Sequence, residues 1–510
     1  MEASIWSLIP PVLALVMVIL TRRVLISLGT GIIVGALLLN GFDPIGSVTQ
    51  IFSIIAAIFY VDGAINDWEL YIIFFLLLLG MLASLVALSG GSRAFGEWAL
   101  KRVKTRVGAQ LVTVVLGIII FIDDYFNSLT VGNVSRPLTD RHRISRSKLA
   151  YLVDSTAAPM CVISPISSWG AFIITIIAGI LATHSVTQYE ALQAFLLIVP
   201  MNYYALFAVL LVLAVALLKL DYGAMKKHET LAMETGEVFD KTKGTPPGEN
   251  MDVQPVDNGK VRDLVLPIVT LIIGTVLFMI ITGIQGTEGD ATVLEIFENT
   301  DVAAALVYGG LLGLAVAVIL TMMKKVSARD FGVGLWAGIK SMLPAIYILI
   351  FAWTIIEIIG DLGTGEYLAS LIDGNIPVAL LPVIVFIIAG AMAFSTGTSW
   401  GTFGMLLPIA GDIAATLDIT MLLPMLAAVL AGAIFGDHCS PISDTTILSS
   451  TGAGSHHIDH VITQLPYAIL VAVISIVGFL VLGFTGSMLL GFVASFVAFA
   501  VSVLVLKRIV

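Results

Sequence analysis

Charge is scarce in this chain of 510 residues. Only 12% of its residues are charged, against 58% that are hydrophobic. Soluble domains carry about 25% charged residues, so a soluble globule, and with it the soluble enzymes, is excluded. Uncharged runs of about 20 residues recur, such as Leu264 to Gln285, each able to cross a hydrocarbon core about 30 Å thick. The runs are continuous rather than alternating, which excludes an outer-membrane β-barrel. An all-α polytopic membrane protein is expected.

Cysteine is nearly absent as well. Cys161 and Cys439 stand in apolar surroundings. They offer neither a disulfide framework nor metal-ligand spacing, and read as packing residues. No Walker-A sequence is present, so an ATP-driven pump is not expected. The start lacks a basic segment, and the first apolar run ends at Arg22 and Arg23 instead of a small-residue cleavage site. No cleavable signal peptide is expected. With a net charge of −10, no nucleic-acid partner is expected either.

The few charges are ordered along the chain. All of the 25 lysines and arginines except Lys340 fall into clusters: Arg22 and Arg23, Arg93 to Arg106, Arg136 to Lys148, Lys219 to Arg262, Lys324 to Arg329, and Lys507 with Arg508. Basic loops stay in the cytoplasm. The connections between them hold acids and no bases, for example Asp43 to Glu69 and Gly286 to Asp301. From an N-terminus outside, this alternation predicts helices over 5–21, 24–41, 70–90, 195–218, 263–284, 302–323, 343–360, 461–483 and 486–506. Broken helices are predicted over 149–183 and 421–455. Ile51 to Tyr60 is read as interfacial.

Two apolar segments cannot cross without reversing the alternation. One is the hairpin at about 107–136, interrupted by Asp123-Asp124-Tyr125-Phe126-Asn127-Ser128; the other is at about 377–417, interrupted by Ser395-Thr396-Gly397-Thr398-Ser399. Irregular backbone at membrane depth is tolerated only inside protein or against an aqueous cavity. Both therefore read as re-entrant hairpins whose tips meet in the interior.

The same order of elements then occurs twice, once in each direction. Residues 1–218 form the first inverted repeat, 219–262 a cytoplasmic linker and 263–483 the second repeat. Each repeat holds five transmembrane helices plus one re-entrant hairpin, with a broken helix at the midplane. Residues 484–510 add one extra C-terminal helix. Ser164-Pro165-Ile166-Ser167 recurs as Ser440-Pro441-Ile442-Ser443 in the matching element. The linker, with Pro246-Pro247-Gly248 and Asp257-Asn258-Gly259, is expected to be flexible or loosely helical, a plain tether. Inverted repeats with interrupted helices are the signature of secondary transporters.

Six acids fall within the spans: Asp123, Asp124, Asp154, Glu357, Asp437 and Asp444. No arginine lies there, and Lys340 is placed near the inner end of its helix, snorkelling to the interface. Acids at that depth without a basic partner bind a cation, hold a proton or face a wet cavity. Asp437, Ser440, Asp444 and Thr445, around the helix-breaking Pro441, are the leading cation ligands. Asp123 and Asp124, adjacent like charges, are proton or cation sites, and Asp154 is the loose counterpart of Asp437, with a structural role as its alternative. Pocket candidates are Asn127, Ser128, Ser164, Ser167, Ser395, Thr396, Thr398, Ser443 and Thr446. Thr130 and Ser399 are further polar neighbours. Glu357 is read as facing outside water. His438 could tune Asp437 or bond a carbonyl. His456, His457, Asp459 and His460 read as a solvated loop or cytoplasmic pH sensor in preference to a transition-metal site, and Gln464 could reach back toward the break.

Phe435 to Tyr467 resembles the NhaC family of sodium/proton antiporters, within the ion-transporter superfamily. The likeness rests on Gly436-Asp437, Ser440 to Thr446, Ser449 to Gly452 and His457 to Val461, and on Asp123 to Gly132. It implies a scaffold part and a mobile transport part in each half and a homodimer; with the charge alternation, a multi-pass protein of the prokaryotic cytoplasmic (inner) membrane with its C-terminus inside is expected. Related members carry organic acids or amino acids. Two functions follow: sodium/proton antiport, with no cofactor beyond the sodium ion and proton themselves, or a sodium-coupled carrier of an amino acid or small organic acid. A channel is the distant third.

Overall fold

The structure, a computed structural model, describes residues 4–21, 23–61, 63–121, 123–165, 167–247, 256, 258–287, 292–324, 326–364, 367 and 377–509. Arg22, Ile166, Gly248, Asp257, Lys325, Gly365 and Glu366 lie outside them, as do parts of 286–301 and 361–377.

The described chain is almost wholly helical. Its strands are one antiparallel pair, Tyr60–Val61 with Ala64–Ile65. Among the described residues nine helices are long and apolar enough to cross a membrane. An all-α, multi-pass membrane protein is the result.

Two hydrophobic cores form. One gathers Val24–Leu39, Asp67–Leu88, Arg262–Gly286, Val302–Met322 and Ala328–Asp361. The other gathers Tyr203–Leu218, Leu381–Thr396, Ser399–Leu417, Leu422–Cys439 and His457–Thr485. The elements that carry the acids lie along both.

Each expected interruption is present, and each is capped by its own polar residues. The first hairpin consists of Arg106–Ile119 and Asp124–Arg141. Its first arm ends where Asn127 Nδ2 donates to the carbonyls of Gly117 and Ile120, at 2.7 and 2.6 Å. Those carbonyls have lost their helical donors, and the amide replaces them. The first broken helix, Arg146–Ile163 and Ser168–Thr183, is parted at Pro165; Ser167 Oγ donates to Cys161 O at 2.7 Å and accepts from Gly170 N at 2.9 Å. In the second hairpin, Leu381–Thr396 closes on Gly397 at φ +71°, a conformation an L side chain resists, and Thr398 caps Ser399–Leu417. The second broken helix, Leu422–Cys439 and Asp444–Ala453, is parted at Pro441 and restarted by the Ser443 cap.

Close backbone crossings bind these pieces together. A Cβ on Gly436 would fall 2.1 Å from Gly390 O, and one on Gly432 2.3 Å from Phe386 O, so this four-residue glycine spacing lets the second hairpin lie directly on the second broken helix. Likewise a Cβ on Gly132 would fall 2.5 Å from the carbonyl carbon of Gly452, and one on Gly452 2.5 Å from Ser128 O.

Several expectations need correction. The helix placed at 343–360 runs over Ala328–Asp361, because Ser327 caps it well before the apolar run begins. Lys340 is therefore mid-helix, exposed, with Nζ 5.5 Å above the Trp336 ring. The helix placed at 195–218 divides at Pro200 into Ala191–Ile198, a short 3-10 turn and Tyr203–Leu218. The arms of the second hairpin carry enough apolar length to span, so length does not make them re-entrant. Residues 219–262 are not a loose tether where they are described. Gly223–Thr235 is helical, and its buried Glu229 meets Arg106 Nη2 at 2.5 Å, the Ser145 N–H at 2.7 Å and Lys148 Nζ at 3.7 Å. Lys243 pairs with Asp459 at 2.6 Å, and Val256 N–H donates to Leu88 O at 3.0 Å. Charges flanking the first hairpin hold the linker down.

Candidate ion-binding site

Asp437 sits at the end of Leu422–Cys439, 2% exposed. Ser399 Oγ donates to its Oδ2 at 2.8 Å, and Ser443 Oγ donates to its Oδ1. Ser443 Oγ lies 3.0 Å from Thr445 Oγ1, and Thr446 Oγ1 donates to Asp437 O at 3.4 Å. The second hairpin and the second broken helix thus close around one carboxylate, and a Cβ on Gly397 would touch Ile442 at 2.8 Å. Ser440, also buried, donates to Phe394 O at 2.8 Å. Donation leaves the lone pairs of these hydroxyls available to a cation.

Asp444, the first residue of the next half-helix, turns to the other half of the chain. Tyr125 OH donates to its Oδ2 at 2.7 Å, while Oδ1 is buried with no hydrogen-bond partner. Asp124 is bound in a similar way. Trp169 Nε1 donates to its Oδ1 at 2.8 Å, and Oδ2 is left without a partner. Asp123 beside it is equally buried. Among the described residues no lysine or arginine meets Asp124, Asp437 or Asp444. A buried anion without a base is costly, and oxygens left open are what a hard cation or a proton requires.

Asp154 has a different environment. Ser449 Oγ donates to its Oδ1 at 3.1 Å, Gln464 Nε2 donates to Oδ2, and His460 Nε2 lies 3.2 Å from Oδ2. Ser449 Oγ also lies 3.0 Å from Ser128 Oγ, and Gln464 Nε2 donates to His438 O at 3.0 Å. This carboxylate ties the first broken helix to Asp444–Ala453 and to His457–Thr485. His438 Nδ1 is 3.1 Å from Tyr204 OH, and its Nε2 has no partner.

Of the pocket candidates, Ser443 and Thr446 surround Asp437 together with the expected cation ligand Thr445, and Ser128 joins the Asp154 group. Asn127, Ser164, Ser167, Thr396 and Thr398 are engaged at helix ends; Thr396 Oγ1, for example, donates to Met392 O at 2.9 Å. Ser395 is buried. Glu357 is exposed. The histidine loop is not solvated: His457 and His460 are buried, and His457 Nε2 is 2.7 Å from Pro441 O. His457 Nδ1 is 3.3 Å from Ser450 Oγ, while His460 Nε2 meets Asp154 and its Nδ1 has no partner. Cys161 and Cys439 are buried free thiols.

Sequence reasoning missed Trp169 and Tyr125 as partners of the acids. A signal existed for the first. Ser168-Trp169-Gly170 and Ser399-Trp400-Gly401 are the same tripeptide, each just after an interruption, and the two indoles meet edge to face at 5.7 Å.

Residues 160–484 match the Na+/H+ antiporter family. A Haemophilus influenzae protein, itself uncharacterized, is 48% identical over 509 residues, spanning 99% of this chain and 95% of its own. The malate-2H(+)/Na(+)-lactate antiporter of Bacillus subtilis is 33% identical over 175 residues, 33% of this chain and 36% of that protein. An uncharacterized Na(+)/H(+) antiporter of Haemophilus influenzae is 35% identical over 147 residues, 27% and 30% of the two chains.

Proposed function

Because the chain belongs to the Na+/H+ antiporter family, as an NhaC-type secondary transporter, we propose that it exchanges cytoplasmic sodium for external protons by alternating access. Sodium binds among Asp437, Ser440, Asp444 and Thr445, and the competing proton resides on Asp444 or on the Asp123/Asp124 pair. One observation carries this reading: Asp124 Oδ2 and Asp444 Oδ1 are buried, open acceptors, and among the described residues no lysine or arginine meets either acid. Each acid is stable there only with a cation or a proton, so the two exclude each other at shared oxygens. Asp154, already bonded to Ser449, His460 and Gln464, positions the broken helices. The two halves act as inverted repeats, each re-entrant hairpin entering from one side. The protein works as a homodimer in a prokaryotic inner membrane, with its basic loops and C-terminus inside.

A second reading, sodium-coupled carriage of an amino acid or small organic acid, draws on the likeness to an antiporter of malate and lactate. Proteoliposomes with a pH dye separate the two. An imposed sodium gradient moves protons without any organic solute if the first reading holds. Absence of a pH change on adding sodium overturns it.

A further inference from the structure

Behind the linker lies a cavity of about 10 Å³, room for about one water molecule. Tyr151, Ser155, Tyr204, His438, Gln464 and Tyr467 line it. Two polar atoms of these residues, His438 Nε2 and Gln464 Oε1, are buried without a hydrogen-bond partner, on side chains of residues only 2% and 1% exposed. Turning the Gln464 amide does not relieve its oxygen, because both partners of Nε2, Asp154 Oδ2 and His438 O, are acceptors. Buried polar atoms in such a place are the ones that water satisfies.

A file of tyrosines joins this cavity to the linker. The Tyr151 and Tyr467 rings are 4.7 Å apart, and those of Tyr467 and Tyr222 4.5 Å. Tyr467 OH donates to Leu220 O at 2.9 Å and accepts from the Tyr222 N–H at 3.3 Å. Tyr151 and Tyr467 are buried, whereas Tyr222 is half-buried. The first residues of the linker therefore cover the cavity. Polar contacts hold that cover along its length. Asp221 pairs with Lys148, and Glu229 with Arg106 and Lys148. Arg143 Nη1 donates to Met233 O at 3.1 Å, and the Arg146 N–H to Val238 O at 2.8 Å. Lys243 ends the series on Asp459. The buried apolar residues of this stretch are Leu220, Met225 and Ala232. A segment with few such contacts opens locally without unfolding the rest.

We propose that Lys219 to Lys243 is a strap that gates the entry of water from the inner face. Closed, it seals the tyrosine file. Released, it lets water reach His438 and Gln464, and through Gln464 the carboxylate of Asp154. The seal stands on this geometry; its opening as a step of transport rests on the alternating-access reading above.

Methyl methanethiosulfonate, a small thiol reagent, tests the seal on the full chain in neutral detergent. Ser155→Cys places a thiol in the cavity lining, and the parent protein, with its buried Cys161 and Cys439, supplies the background. Slow modification is expected while the strap is intact. Glu229→Gln, which loosens Arg106 and Lys148, and Tyr222→Ala, which removes the outermost ring, are each expected to speed it about tenfold by easing local opening. Tyr222→Ala leaves no buried charge unpaired and so serves if Glu229→Gln fails to fold. Cys161, whose Sγ meets Phe121 O at 3.2 Å, reports general loosening and should keep its parent rate. In a second arm, Lys243→Cys and Asp459→Cys are bridged by a bifunctional methanethiosulfonate, tying the strap down. Sodium/proton exchange in proteoliposomes is expected to fall about tenfold on bridging and to recover on reduction, as for a locked lid. Equal modification rates with intact and loosened straps, an equal acceleration at Cys161, or full exchange with the strap bridged overturns the proposal. Absence of exchange before bridging, with the modification rates as expected, counts against the antiporter reading alone.

Discussion

Ser399 and Asp437, from two elements separated by 38 positions in sequence, meet through a hydroxyl donated at 2.8 Å to a buried carboxylate. The bond closes the second hairpin onto the second broken helix at the point where both have lost their helical hydrogen bonds. Ser399→Ala is expected to raise the sodium concentration for half-maximal exchange about tenfold, since hydrogen bonds to charged groups contribute about 1.5–3 kcal/mol. Asp437→Asn is expected to abolish exchange. Sodium titrations in proteoliposomes measure both.

Trp169 is the side-chain donor to the Asp124 carboxylate, through Nε1 to Oδ1 at 2.8 Å. Trp169→Phe keeps the ring against Phe403 but removes that donor. An unsatisfied buried acceptor costs about 1–3 kcal/mol. A fall in melting temperature of several degrees is expected, along with a displaced pH profile of exchange. Unchanged values in both measurements would refute the role given to the indole.

Backbone contact at the glycine crossings should make them intolerant of even a methyl group. Gly436→Ala and Gly452→Ala each place a Cβ against a carbonyl oxygen at under 3 Å, and overpacking costs about 1–3 kcal/mol. Gly404→Ala, where nothing lies within 4 Å, is the control and should be neutral. Thermal unfolding in detergent distinguishes the three.

Glu229 binds two cations, one of them the fully buried Lys148. Glu229→Gln leaves that ammonium paired with Asp221 alone, and breaking a buried pair costs about 3–5 kcal/mol. The loss should exceed that of the exposed Glu234→Gln by a margin visible in melting curves.

Outside the membrane, hydrogen bonds from Thr242 hold the Asp240 carboxyl below its ordinary value. A depressed carboxyl adds stability above its unfolded pKa of about 3.9 and loses it as pH falls through the folded value. Asp240→Asn should therefore lower the melting temperature slightly at pH 7 and not at pH near 2. The effect is under about 1 kcal/mol because solvent screens the site.

Much of this was legible in the chain because charge is scarce. Acids within apolar runs marked the centre, and Pro165, Gly397 and Pro441 marked the interruptions. Their side-chain partners were harder to read. Tyr125 and Asp444 are 319 positions apart, and nothing local pairs them. His460 looked solvated because polar residues surround it in sequence, yet it is fully buried, since the fold brings Asp154 from the other half to meet it. The linker looked free for lack of apolar residues, but it is held by ion pairs, which hydrophobic patterning does not report.

At the Gly132–Gly452 crossing, main chain rests on main chain. Side chains can slide and repack; two backbones in contact, flanked by the Ser128–Ser449 hydrogen bond and Arg146 on Ala453 O, have no such slack. The arm that bears Asp124 and the half-helix that begins at Asp444 are thereby welded. Any rigid displacement of one takes the other with it. In the alternating-access cycle proposed above, the moving body is then drawn from both stretches of the chain, 124–141 and 444–453 together.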